Sequence, residues 1–248
     1  MPNNRPLILI SNDDGFDSKG IQTLIDIAGD YGDVVAVAPT YPQSGKASAI
    51  TVDAPLRLTL VSDKGSVKLF HVNGTPADCV KLALFRAVPR IPDLVLAGIN
   101  HGYNSGNSAI YSGTMGAVFE GSFRNIPSIG FSFDDHTLEP DFSPCFPLIR
   151  QTIERVLSQG LPKGICLNIN FPNCGQIKGL KTVAGSTGYW EQEFEERFDP
   201  RGRAYYWLTG KYHDSDPNDD TTDNYWLARG YATVTPCRAD QTAYDLLP

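Results

Sequence analysis

The chain has 248 residues, of which 41% are hydrophobic and 20% charged, with a formal net charge of −7. That length supports one large α/β domain or a domain with an appendage. The acidic balance is spread along the chain and argues against a stable nucleic-acid complex or binding to an anionic membrane, and no apolar stretch approaches transmembrane length. Five cysteines stand far apart with no C-x-x-C pair, so reduced thiols in a cytoplasmic setting are expected.

Leu7-Ile8-Leu9-Ile10 reads as a buried strand of a parallel sheet. Ser11-Asn12-Asp13-Asp14-Gly15 then delivers two adjacent carboxylates to the strand's carboxyl end, the edge where open α/β sheets bind ligands. Such a pair repels itself unless a cation lies between, and a hard divalent ion is the economical partner. Ile21, Leu24, Ile25 and Ala28 have helical spacing, and 34–38 reads as a second buried strand. The unit implies a right-handed crossover between parallel strands. It carries neither G-x-G-x-x-G nor a P-loop pattern.

The polar loop 40–48, with Ser44 and Gly45, leaves strand two on the same edge. Residues 50–61 read as extended structure at a sheet edge, and 68–72 as a short strand. Thr75-Pro76-Ala77-Asp78 reads as a helix start, with Thr75 capping, Pro76 in the first turn and Asp78 closing a capping box, and the helix is expected over 77–87. Residues 93–98 form the next buried strand and feed a stretch to 116; five glycines fall between 98 and 116, together with Asn100, Asn104, Ser112 and Thr114. Glycines there let backbone N–H groups approach an anion. Ser112 or Thr114 can cap a helix over 115–124, whose positive end favours phosphate.

Further on, 128–132 reads as a core strand and 146–157 as an amphipathic helix with Phe146, Ile149, Ile153, Val156 and Leu157 inward. Residues 165–170 are expected to be the last strand of the sheet. Aromatics then cluster at Tyr189, Trp190, Phe194, Phe198, Tyr205, Tyr206 and Trp207, and 205–208 and 231–235 read as antiparallel β. An arm exposing so many aromatics needs a partner surface, most simply a second subunit. The acidic stretch 214–223 lacks the EF-hand pattern and reads as a solvated loop.

Asp13-Asp14, Ser44-Gly45 and the Asn100–Thr114 loop thus fall on one edge of one sheet. Two carboxylates, a hydroxyl and an amide oxygen suit Mg²⁺ or Mn²⁺ rather than structural zinc. At these residues the sequence resembles the SurE family of stationary-phase survival proteins, metal-dependent 5′/3′-nucleotidases. The matching pieces are Ser11 to Gly15, Val37-Ala38-Pro39 with Gln43-Ser44-Gly45, Asn73 to Val80, Gly98 to Gly106 and Tyr111 to Ala117, with a return at Gly230 to Pro236.

The resemblance implies a Rossmann-like, three-layer α/β catalytic core with a mostly parallel sheet over 1–172. It also implies a β-rich extension for oligomerisation over 173–248, whose last segment returns to the core. It implies one divalent metal ion per subunit, Mg²⁺ or Mn²⁺, held by Asp13, Asp14, Ser44 and Asn100. Asp13 and Asp14 are the expected catalytic groups. Asn12, Gly45, Asn104, Ser112, Gly113 and Thr114 are expected around the substrate phosphate. The implied reaction is hydrolysis of nucleoside 5′- and 3′-monophosphates by a homodimer or homotetramer. Thr40 and Lys46 depart from the family pattern without removing a ligand.

Other readings of an acidic strand end fit less well. A receiver domain needs a phosphoacceptor Asp where Asn100 stands and a Lys where Ser132-Phe133 stand. A dehalogenase-type phosphatase needs D-x-D, so that one Asp attacks and the other handles protons. The main rival is a nucleotide-binding sensor with little or no turnover. His101 follows Asn100 and is a candidate leaving-group acid, while His71 and His136 read as structural or surface residues.

Overall fold

The computed structural model describes residues 5–247; residues 1–4 and 248, at the outer ends of the two expected segments, lie outside it. Through the core the elements run β1 (Leu7–Ser11), α1 (Lys19–Gly29), β2 (Asp33–Pro39), β3 (Leu58–Asp63), β4 (Val67–Val72), α2 (Pro76–Leu82), β5 (Leu94–His101) and α3 (Gly113–Ser122). Then come β6 (Ser128–Phe133), α4 (Phe146–Gln159), β7 (Cys166–Phe171) and β8 (Leu180–Thr182). The C-terminal part adds β9 (Gly188–Glu191), β10 (Phe194–Phe198), β11 (Ala204–Leu208), β12 (Lys211–Asp214), α5 (Asp223–Leu227) and β13 (Ala232–Cys237).

Nine strands form one sheet in the order β3-β4-β2-β1-β5-β6-β7-β13-β8. From β4 to β7 every neighbouring pair is parallel. The period-two alternation of β1 splits its side chains between two cores. Ile8 and Ile10 pack with Ile21 and Leu24 of α1 and Ile149 and Ile153 of α4. Leu7 and Leu9 pack with Val80 of α2 and Met115 and Val118 of α3. The result is three layers, helix–sheet–helix, as a strand buried on both faces requires. Chain order reverses between β1 and β5, which is the topological switch point where such sheets bind ligands.

The expected elements are present with local changes. Only the end of the 50–61 segment becomes strand, as the antiparallel edge β3. The helix begun at Pro76 ends at Leu82 and continues as one wider turn over Ala83–Ala87. Phe146 and Leu157 of α4 are only partly buried, and Thr152 joins the buried face.

One expectation is overturned: β7 does not end the sheet. β13 pairs antiparallel with β7, and β8 pairs parallel with β13. Periodicity within 165–170 carries no sign of this, because the partner strand lies beyond the whole aromatic segment. That segment forms two separate antiparallel hairpin ladders, β9 with β12 and β10 with β11, apart from the main sheet. Phe194, Phe198, Tyr206 and Trp207 are all exposed there.

Candidate active site

The site is built from four chain segments at the β1/β5 switch point. Ser11 and Asn12 are fully buried and Asp13 is 4% exposed, so the carboxylates enter the cleft from inside the fold. Asn12 closes the turn: its Nδ2 donates to Gly15 O and Ser18 Oγ, both at 2.9 Å. The Gln43 N–H donates to Asp13 O at 2.7 Å, which ties the residue before Ser44 to this turn. Ser44 and Gly45 themselves are exposed on the loop.

Asp13 lies against the start of α3. The Thr114 hydroxyl donates to Asp13 Oδ1 at 2.7 Å. A Cβ on Gly113 would lie 2.9 Å from Asp13 Cβ and 3.0 Å from its Oδ2. Glycine there is therefore what lets the carboxylate reach the helix end, where the backbone dipole favours negative charge. Ser112 caps the helix by accepting from the Met115 N–H at 3.0 Å. The sequence left the cap open between Ser112 and Thr114; the structure gives it to Ser112 and leaves Thr114 to hold Asp13.

Asn100 sits at an irregularity in the β5/β6 pairing between Ala97 and Asn100, a common way of re-aiming a side chain beside a site. Its Nδ2 donates to His101 O at 3.1 Å and Gly102 O at 2.9 Å. The amide orientation is thereby fixed, with Oδ1 as the atom left to ligate.

Burial pushes the Asp13 carboxyl from its ordinary 3.8 up to about 6, with Asp14 adding to the effect and hydrogen bonds from Thr114 opposing it. Burial likewise raises Asp14 to about 6, against a hydrogen bond from the His101 backbone. Asn12 Oδ1 and Asp14 Oδ2 are buried and have no hydrogen-bond partner. Buried polar atoms without partners are costly, and an oxygen-rich pocket of this kind has the chemistry to hold a cation.

Asn104, expected near the phosphate, is engaged elsewhere. Its Nδ2 donates to Ser132 Oγ at 2.8 Å, its N–H donates to Asn170 Oδ1 at 2.8 Å, and its carbonyl accepts from Asn168 Nδ2 at 2.7 Å. It fastens the glycine-rich stretch to β6 and β7. Asp78 completes the capping box and also accepts from the Thr51 N–H and hydroxyl, which holds the end of the second loop. His71 stacks on Phe16 and bonds Thr40, consistent with a structural role. His136 is exposed and sits over Gly102.

Sequence reasoning missed Asp223. Read as part of a solvated acidic loop, it is in fact fully buried and accepts the Gly106 N–H at 2.8 Å. The only hint was its place at the start of the apolar run Tyr225-Trp226-Leu227.

An all-oxygen, doubly acidic site at the switch point of a Rossmann-like sheet defines a class of metal-assisted phosphate chemistry. Comparison with known proteins makes the assignment specific. A family model described as "Survival protein SurE" matches residues 8–192. The 5′-nucleotidase SurE of Phocaeicola vulgatus is 44% identical over 100% of this chain and 96% of its own. That of Cytophaga hutchinsonii is 46% identical over 98% and 95%. The crystal structure of the SurE protein from Aquifex aeolicus superposes with a TM-score of 0.84 at 33% identity, covering 98% of this chain and 97% of that one. The chain belongs to the SurE family.

Proposed function

We propose that this protein is a divalent-metal-dependent phosphomonoesterase that hydrolyses nucleoside 5′-monophosphates, and 3′-monophosphates, to nucleoside and phosphate. The observation that carries the reading is the buried Asp13–Asp14 pair lodged against the start of α3, in a chain whose full-length relatives are named 5′-nucleotidases. The donor set fits a hard cation: two carboxylates, the Ser44 hydroxyl and the Asn100 amide oxygen offer oxygen only. We assign one Mg²⁺ or Mn²⁺ per subunit to these four residues. When bound, the ion supplies electrophilic polarisation of the phosphoryl group.

The chain's own residues account for the rest. Thr114 fixes Asp13, and the His101 backbone fixes Asp14, so both carboxylates meet substrate in set orientations. Asp14 Oδ2, free of any partner, is the atom that accepts a hydrogen bond from the attacking water. Ser112, Gly113 and Thr114 place the positive end of α3 at the phosphate, with Asn12 and Gly45 beside it, where that field offsets charge developing in the transition state. Asn104 contributes by holding the loop rather than by touching substrate.

No helix among the described residues is long and apolar enough to cross a membrane. We place the protein in the cytoplasm, a setting that agrees with its five free thiols. We assign residues 1–172 to catalysis and the hairpins within 173–248 to assembly of a homodimer or homotetramer. Exposed Tyr189, Phe194, Phe198 and Trp207 support that assignment.

The test is phosphate release from a panel of 5′- and 3′-nucleoside monophosphates with Mn²⁺, Mg²⁺ or EDTA, beside Asp13→Ala. Metal-dependent release that the variant loses is expected. Folded protein that binds nucleotide but releases no phosphate with either metal overturns the reading in favour of a sensor.

A further inference from the structure

The glycine-rich stretch after β5 is gripped from two sides. The core holds it through Asn104. The C-terminal segment holds it through Asp223, whose two carboxylate oxygens divide their work. Oδ2 accepts from the Gly106 N–H at 2.8 Å, while Oδ1 accepts from the Ser186 N–H at 2.9 Å and the Asn224 N–H at 2.8 Å. Beside it, Ser105 Oγ donates to Asn224 Oδ1 at 2.7 Å, and Asn224 Nδ2 donates to Ser186 Oγ at 2.6 Å. Gly106 has φ +51°, and a Cβ there would lie 2.4 Å from Ser186 Oγ and 2.6 Å from Ser186 O. The Gly106 backbone is thus pressed against the hydroxyl and the carbonyl of Ser186, with no room for a side chain.

Ser186 and Asp223 flank the hairpin segment, so this clasp lies at the root of the arm. From Gly106 a single 3-10 run, Gly106–Tyr111, leads into Ser112, the cap of α3. On the way, Tyr111 O accepts from the Ala47 N–H at 3.1 Å, on the loop that carries Ser44 and Gly45. A shift at the clasp is therefore delivered along a six-residue strut to the helix end that faces the phosphate. The carboxylates Asp13 and Asp14 lie in the turn that follows β1, and the helix end meets Asp13 through the Thr114 hydroxyl at 2.7 Å.

We propose that Asp223 is a positioning residue: by clasping Gly106 it sets the strut that holds Ser112-Gly113-Thr114 in place for the substrate phosphate. The proposal rests on the phosphomonoesterase reading for its substrate.

Asp223→Asn tests it with little disturbance elsewhere. The remaining oxygen keeps the two bonds to Ser186 and Asn224, and the new NH₂ then faces the Gly106 N–H, donor against donor. Ser105→Ala cuts the second tie and leaves Asp223 intact. Both are made in the full chain. With saturating Mn²⁺ and adenosine 5′-monophosphate, KM and the inhibition constant of inorganic phosphate are expected to rise together about tenfold, as for a small displacement of a positioning element, while kcat stays within about twofold. Folded Asp223→Asn protein with unchanged KM and phosphate inhibition overturns the proposal. So does a fall in kcat that keeps pace with the rise in KM. If Asp223→Asn does not fold, Ser105→Ala is judged by the same criteria. A wild-type protein without turnover overturns the phosphomonoesterase reading instead, and calorimetric titration with phosphate in the presence of Mn²⁺ then decides the clasp by the same expected weakening.

Discussion

Asp13→Asn is expected to make the metal-free protein more stable while abolishing its response to metal. The folded-state pKa of Asp13, about 6, lies above its ordinary 3.8. A carboxyl of that kind holds its proton more tightly folded than unfolded, so ionising it works against folding. The penalty is absent below about pH 3.8, grows between there and about pH 6, and is complete above. Its full size is about 3 kcal/mol, falling to about 1.5 kcal/mol at pH 5. Asn cannot ionise and keeps the acceptor that the Thr114 hydroxyl uses. In EDTA at pH 8 the variant should therefore melt higher, by about 6–12 °C for a chain of this size, and by roughly half that at pH 5. Saturating Mn²⁺ should reverse the order at pH 8, since ligand at a thousand times its Kd adds about 4.1 kcal/mol to the wild type alone. Thermal melts by circular dichroism at pH 5 and 8, with EDTA or Mn²⁺, read all of this. A variant that melts at or below the wild type in EDTA at pH 8, or a gap that does not shrink by pH 5, refutes the reasoning.

Two further outcomes are expected. Gly113→Ala puts a methyl 2.9 Å from Asp13 Cβ and should weaken Mn²⁺ binding about 10–100-fold, the usual cost of disturbing what orients a ligand, although alanine is the better helix former. Calorimetric titration with Mn²⁺ checks it; unchanged affinity means that the close approach is unimportant. Asp78→Ala removes the capping box and the anchor of Thr51 together and should cost about 2–3 kcal/mol, or roughly 5–10 °C in melting temperature. A loss under 2 °C in a thermal melt would show the cap and anchor to be dispensable.

What could be read from sequence was local. The aliphatic run into Asp13-Asp14 announces a strand and its exposed end within a few residues, and Thr75-Pro76-Ala77-Asp78 announces its own cap. Grouping Ser44 and Asn100 with the aspartates needed only the parallel-sheet rule that successive strand ends share an edge. What could not be read depends on partners far along the chain. Asp223 meets Gly106 across 117 positions, and only the short apolar run after it hints that its carboxylate is buried. Asn104 is expected beside the phosphate from the resemblance alone; its hydrogen-bond partners Asn168 and Asn170 lie on β7, beyond α3, β6 and α4. Placing β7 at the end of the sheet failed for the same reason.

The position of β13 bears on how the protein comes into being. β7 is synthesised before its outer neighbour exists, and β8 follows with no strand to join. Both wait while the hairpins and α5 emerge, until β13 slots between them. During that interval the flank of β7 is an open template for wrong pairing, and closing it requires a slow, long-range contact. The arm is thus a detour inserted into the final closure of the sheet. Its length and sequence can drift without disturbing the register on either side, provided that the chain still returns in time to seal the seam.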